Sequence, residues 1–312
     1  MFNFFIPILI LFSLSFSDVL YPENNSTLNT THVLFEWEQV PDAVSYRISW
    51  IYGNNPDILL GEEYTESLIY INTEIFDWDT PYVWHVQPVF SDGSTGSYII
   101  NSEGTSHLNY FDIGSSRSTA SAAGIYDGND ITIFGSFLDN YSAAIDKNGN
   151  EIWNTGDNDI VYYNTDLYGQ LFGCYVNNDI ENYLPGIEFS LDSDYIWEEP
   201  NDEFLHHELM QLPDGNYMGL VEVAVDGPIP IGPWTSLYQI LGYEADGITN
   251  EFPWIGDKIV IWDEETKDVI WEWNSFDHFS MQDYDDLSDT WFQGFSNGRY
   301  DWTHANAFWP TF

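Results

Sequence analysis

The chain has 312 residues, with 6 Lys and Arg against 51 Asp and Glu and a formal charge of −45, which excludes nucleic acid and anionic membrane surfaces as partners. Its 14 Trp, 21 Tyr and 21 Phe can fill large cores, so this acidic protein folds and carries its charge on a solvated surface. The length suggests two domains, and the wealth of Gly, Asn, Asp and aromatic residues points to an all-β fold.

The opening "MFNFFIPILILFSLSFSDVLYPEN" has an apolar run from Phe4 to Leu14, followed by the small residues Ser15 and Ser17. This predicts a secretory signal peptide over residues 1–17, hence a secreted or periplasmic protein, although no Lys or Arg precedes the run. The run is short for a membrane span, and no later segment is long and apolar enough, so no membrane insertion follows cleavage. Cys174 is the only cysteine, which rules out an intramolecular disulfide and reads as a small core residue.

Residues 18–114 read as one module. "VLFEWEQVPDAVSYRISW" sets Phe35 and Trp37 against Leu34 and Glu36, turns at Pro41-Asp42, and resumes with Tyr46, Ile48 and Trp50, the alternation of two half-buried strands. "DTPYVWHVQPVFSDGSTGSY" puts Tyr82, Trp84 and Val86 on one face, His85 on the solvent side, and a turn at Asp92-Gly93. The early-strand Trp, the Ala-x-x-Tyr after the turn and the later Tyr-x-Trp-x-Val strand resemble fibronectin type III domains over about 80 residues, which implies an Ig-like β-sandwich acting as spacer or binding surface. The polar "GSSRSTASA" that follows reads as a linker.

From residue 118 a repeat begins. "YSAAIDKNGNEIWNT", "GIEFSLDSDYIWEEP" and "DKIVIWDEETKDVIWEWN" each run strand, acidic turn, strand, and place Ile-Trp in the last strand with Trp at 153, 197 and 271. The first interval, 197 − 153 = 44 residues, matches the blade period of a β-propeller, about 40–45. The second, 271 − 197 = 74, fits one blade plus an insertion of about 30 residues, placed as a long loop between a strand ending near Val225 and one starting at Lys258. The units are 118–156, 158–201 and 203–276, with strands near 205–212, 216–224, 257–264 and 268–274 in the third, and "DWTHANAFWPTF" starts a fourth. The expectation is an incomplete propeller, three blades and the start of a fourth, in a truncated chain. "DKNGNE" at 146–151 lacks the further ligands of a calcium loop and reads as a hairpin turn.

"LHHELMQLPDGNYMGL" holds adjacent histidines, His206 and His207, and "DWTHANAFW" holds His304. Together with the intervening "DKIVIWDEETKDVIWEWNSFDHF", these motifs resemble the bacterial arylsulfate sulfotransferase family of periplasmic or secreted six-bladed propellers, over residues 118–312. The resemblance implies a substrate site at the central channel, where histidines and an arginine surround a sulfuryl group and a further histidine takes it up covalently. His206, His207 and His304 then occupy catalytic positions, with a small-molecule aryl sulfate donor and a phenolic acceptor as partners. Sulfuryl transfer needs donors to its oxygens and a nucleophile, and imidazole can be either. Strand parity lets only one of His206 and His207 face the channel, and alignment of His206-His207-Glu208 on His304-Ala305-Asn306 favours His206, with His207 packed between blades.

The family's arginine and nucleophilic histidine follow the Asp-Trp-x-His-x-Asn motif, whereas eight residues follow His304 here and Arg299 precedes it in a loop. The expectation is therefore activity in a complete protein and none in this chain. No cofactor is expected, because no Gly-rich phosphate cradle is present, and no metal, because two His and Glu208 lack a third ligand at recognisable spacing. His278 reads as structural. The competing reading is a non-catalytic secreted or surface protein that binds through both modules, since a fold alone hosts either function. Oligomeric state has no sequence signature here.

Overall fold

A computed structural model describes residues 17–101, 107–117, 128, 130–176, 184–200, 204–286 and 289–310. Residues 1–16 of the expected signal peptide and much of the expected linker lie outside the described residues. The fold is all-β, and the chain divides into two compact units at residues 118–119.

The first unit holds β1 (Val19–Tyr21), β2 (Ser26–Leu28), β3 (Val33–Trp37), β4 (Ala43–Tyr52), β5 (Asn55–Thr65), β6 (Ile69–Asn72), β7 (Thr80–Phe90) and β8 (Asn109–Ile113). They form two sheets, ordered β1-β3-β6 and β2-β8-β7-β4-β5. The alternating apolar residues explain the pairing: Phe35 and Trp37 of the smaller sheet and Tyr46, Ile48, Trp50, Tyr82, Trp84 and Val86 of the larger are all buried in one cluster. Phe35 is central to it, with its ring 4.8 Å from that of Trp84 and 5.6 Å from that of Trp50. His85 departs from its solvent-side expectation. It lies partly buried against Tyr98, ring centroids 4.6 Å apart, and Tyr98 in turn stacks on His107. Burial, then His107 and Arg47, push its pKa down to about 4.

The second unit contains three antiparallel sheets. The first joins β9 (Thr132–Ser136), β10 (Tyr141–Ile145) and β11 (Glu151–Asn154); the second joins β12 (Ile160–Thr165), β13 (Leu171–Tyr175), β14 (Gly186–Phe189) and β15 (Tyr195–Glu198); the third joins β16 (Phe204–Gln211), β17 (Tyr217–Pro228), β18 (Asn250–Trp262) and β19 (Val269–Asn274). Each is a meander, in which neighbouring strands follow one another in the chain, joined by turns of four to six residues except between β13 and β14 and between β17 and β18. "DKNGNE" is such a turn: Asp146 N–H donates to the Asn150 carbonyl and Gly149 adopts φ +83°, a conformation glycine takes without strain. Adjacent sheets meet through apolar faces. Ala144, Ile152 and Trp153 pack with Leu171, Ile187 and Phe189, and Phe172 and Trp197 pack with Leu205, Tyr217, Val260 and Trp262. Cys174 is buried, and burial pushes its thiol up to about 12.

Two expectations are corrected. The long loop after Val225 is instead mostly an extension of the hairpin: β17 and β18 stay paired from Tyr217 and Trp262 out to Pro228 and Asn250. Its aromatic residues drive this, since Phe252 and Trp254 join Trp234, Tyr238, Trp291 and Tyr300 in a separate core capped by α1 (Thr235–Ile240) and α3 (Thr290–Asn297). The Pro and Gly of the segment mark its turns only. Residues 302–310 form no strand; β20 (Tyr300–Asp301) pairs in parallel with Trp254–Ile255, and the chain then runs on beside β18.

Candidate functional site

β16 is where the adjacent histidines sit, and it is not a regular strand. Leu205 pairs with Val221 and Leu209 with Gly219, so His206, His207 and Glu208 oppose Leu220 alone. Such a bulge re-aims side chains, and His207 takes φ +66° within it. The parity argument therefore fails: His206 and His207 do not point to opposite faces. Their ring centroids are 4.9 Å apart, and both approach His304, at 6.4 Å from His206 and 5.8 Å from His207. His207 belongs to the same cluster and is not packed away between sheets.

Asp257 of β18 organises the cluster. Its Oδ1 lies 3.3 Å from His206 Nε2, within ion-pair range, and its Oδ2 accepts the Ala305 N–H at 3.0 Å. The Asp257 N–H is directed at both Ser275 Oγ and Thr303 Oγ1, each at 3.1 Å. One buried aspartate thus ties β16, α2 (Ser275–His278) and the segment carrying His304. Burial opposes its ionisation, but the His206 imidazole, the Thr303 hydroxyl and the Ala305 amide outweigh it and hold the carboxyl below its ordinary value. The backbone of the segment is set by Trp302 and Thr303, whose N–H groups donate to the Ile255 carbonyl.

Asp301 acts on the third histidine: its Oδ2 is 2.9 Å from His304 Nδ1. A carboxylate at Nδ1 favours a proton on that nitrogen. His207 is kept below the ordinary histidine value, first by burial and then by His206 and His304, so it serves as a neutral imidazole at pH 7. Glu208 turns to the second sheet, accepting from Asn164 Nδ2 at 2.8 Å. Arg299 also stays apart, with Nη1 3.4 Å from Glu222 Oε1, and His278 stacks on Trp273 with ring planes 1° apart.

Beside His304 and Asp257 opens a pocket of about 260 Å³ with walls of Leu220, Ile259, Trp273, Phe279 and Phe308. An apolar cavity with a few polar groups at one end suits a small amphipathic ligand whose ring enters the pocket. No group of three or more His, Cys, Asp or Glu among the described residues is arranged to hold a metal ion. No protein-family model matches this chain, and no curated protein does. No helix among the described residues is long and apolar enough to cross a membrane.

Sequence reasoning missed Asp257, Asp301 and the pocket. Asp301 lies inside the Asp-Trp-Thr-His run itself, so its signal was present, whereas Asp257 reaches Ala305 across 48 positions and has no local signature.

Proposed function

We propose that this chain is a secreted protein of arylsulfotransferase type, built from a fibronectin III-like β-sandwich and three blades of a β-propeller, and that His206, His207 and His304 bind the sulfuryl group of an aryl sulfate. The carrying observation is the convergence of the three rings, with centroids 4.9–6.4 Å apart, next to an aromatic-walled pocket. For the folds, the support is a three- and a five-stranded sheet around one core in the first unit and serial face-to-face packing of meander sheets in the second.

In this reading the aryl ring occupies the pocket and the imidazole N–H groups face the sulfuryl oxygens and the bridging phenolic oxygen, where charge grows as the S–O bond breaks. A phenolic acceptor takes the same place in the reverse sense. Among the described residues no arginine and no fourth histidine joins the cluster, so the three histidines are assigned binding of the sulfuryl group and not its covalent uptake.

Calorimetric titration with 4-nitrophenyl sulfate tests this. Saturable binding is expected, weakened about tenfold or more by His206→Ala or His304→Ala, each removing a hydrogen bond to a charged group. Asp257→Asn should weaken it too, because the amide has one acceptor oxygen left to serve both His206 and the Ala305 N–H. Absence of saturable binding, or binding indifferent to all three histidine substitutions, would contradict the assignment. Release of 4-nitrophenolate by the purified chain would place one of the three histidines in the nucleophilic role.

A further inference from the structure

The three histidines of the cluster differ in what stands beside them. His206 has Asp257, with Nε2 3.3 Å from its Oδ1, and His304 has Asp301, with Nδ1 2.9 Å from its Oδ2. His207 has no carboxylate within ion-pair range among the described residues. Glu208, its neighbour in the bulge, turns to the second sheet, where it accepts from Asn164 Nδ2. Two acids thus serve three imidazoles, and the ring without an acid lies 4.9 Å from one of the others and 5.8 Å from the second.

The groups that face His207 come from every element around it. His206 in the bulge and His304 disfavour a further positive charge, whereas Asp257 of β18 favours one. From β12 the Tyr163 hydroxyl approaches the His207 backbone, and burial holds it as a neutral phenol. Burial of the imidazole, followed by His206 and His304, outweighs Asp257 and keeps His207 below the ordinary histidine value of 6.5. The ring is therefore uncharged near neutral pH for want of a counter-ion. Its backbone is held at φ +66°, a region that strains a side chain of this size and that recurs at ligand sites.

We infer that His207 takes up a proton when an oxyanion enters the cluster, so that the anion supplies the counter-ion that His207 lacks and binding at this site is gated by pH. This rests on the reading of the three histidines as an anion site. A sulfate monoester carries one negative charge throughout the range in which imidazole titrates, so the proton comes from solvent and goes to the unprotonated ring nitrogen of His207. An opposite charge within about 4–6 Å favours the imidazolium, which the complex then holds at pH values where the free protein holds the neutral ring. Affinity accordingly rises on acidification across that interval, by up to about tenfold per pH unit when one full proton is bound. It levels off once His207 of the free protein is itself protonated, below 6.5.

Calorimetric titration of the full chain with inorganic sulfate and with 4-nitrophenyl sulfate, at about pH 7 in buffers of differing ionisation enthalpy, tests this. The observed heat is expected to vary linearly with the buffer's ionisation enthalpy, with a slope approaching one proton taken up per bound anion for either probe. His207→Asn removes the titrating ring but keeps a neutral donor and a residue that tolerates positive φ, and it should lower the slope by about half or more. In the unsubstituted chain, the imidazole ¹⁵N signals of His207 should pass from the neutral to the imidazolium pattern as sulfate is added at constant pH. Saturable binding without buffer dependence, a slope undiminished in His207→Asn, or His207 signals that stay neutral overturns the inference. Proton-coupled binding of inorganic sulfate without binding of the aryl sulfate would remove the aryl-pocket reading and leave the inference standing, whereas binding of neither removes both.

Discussion

Replacing Trp197 measures how much one inter-sheet tie holds the second unit together. Its ring stacks on Tyr217 with centroids 3.9 Å apart and planes at 8°, lies 6.0 Å from Trp262, and donates to the Glu264 carbonyl. Trp197→Ala empties this site between the second and third sheets, where the meanders have little freedom to close the cavity, and removal of a buried Trp costs about 3–5 kcal/mol. Trp197→Phe keeps most of the apolar contact and the stacking but loses the indole N–H bond, worth about 1 kcal/mol, so a total near 1–2 kcal/mol is expected. Urea denaturation, followed by hydrogen exchange that distinguishes the two units, provides the assay. The transition of residues 130–310 should move by these amounts while that of residues 18–114 stays in place. A loss below about 1 kcal/mol for Trp197→Ala, or an equal shift of both units, would refute the view that sheet-on-sheet packing through the repeated tryptophans stabilises the second unit.

Acid should weaken the first unit through His85. Its folded-state value of about 4 against 6.5 means the unfolded chain takes up the proton first, so stability is complete above pH 6.5, falls on acidification and levels off below pH 4. The interval corresponds to about 3 kcal/mol at most, reduced to about 2 by solvent around a partly buried ring; melting between pH 7 and 4 should show this slope, and His85→Phe should flatten it. Gly173→Ala places a methyl against the Val161 carbonyl and should cost the second unit about 1–3 kcal/mol or more, while a parent-like melting temperature would show that the β12–β13 contact is looser than described. Cys174, with its thiol pushed up to about 12 by burial, should resist a thiol reagent at pH 8 until denaturant is added; rapid labelling of the native chain would contradict its burial.

Much of the strand pattern was legible because period-two alternation survives wherever one face is buried. The Ile-Trp signature located β11, β15 and β19, and the third repeat's expected strands fall on β16–β19 with small shifts at most of the ends. The extension past Val225 was not legible, because its Pro and Gly residues signal turns locally while burial of Phe252 and Trp254 depends on Trp234 and Trp291 from distant segments. The bulge at His206–Glu208 was hidden for a related reason. Leu205, His207 and Leu209 mimic an unbroken strand, nothing in the sequence forces His207 to positive φ, and the two extra residues appear only when the register with β17 is read. As a result the histidine types were visible as a candidate site, but their common orientation was not.

The central claim is that three histidines distant in sequence form one anion-receiving site, and imidazole ¹⁵N NMR tests it directly. With 4-nitrophenyl sulfate added to the full chain, the signals of His206, His207 and His304 are expected to move together along one saturating curve and to assign Nδ1 of His304 as protonated, in keeping with its 2.9 Å contact to Asp301. Those of His85 and His278 should stay fixed. Movement of none of the three, or of a single one with a curve of its own, would contradict the shared site.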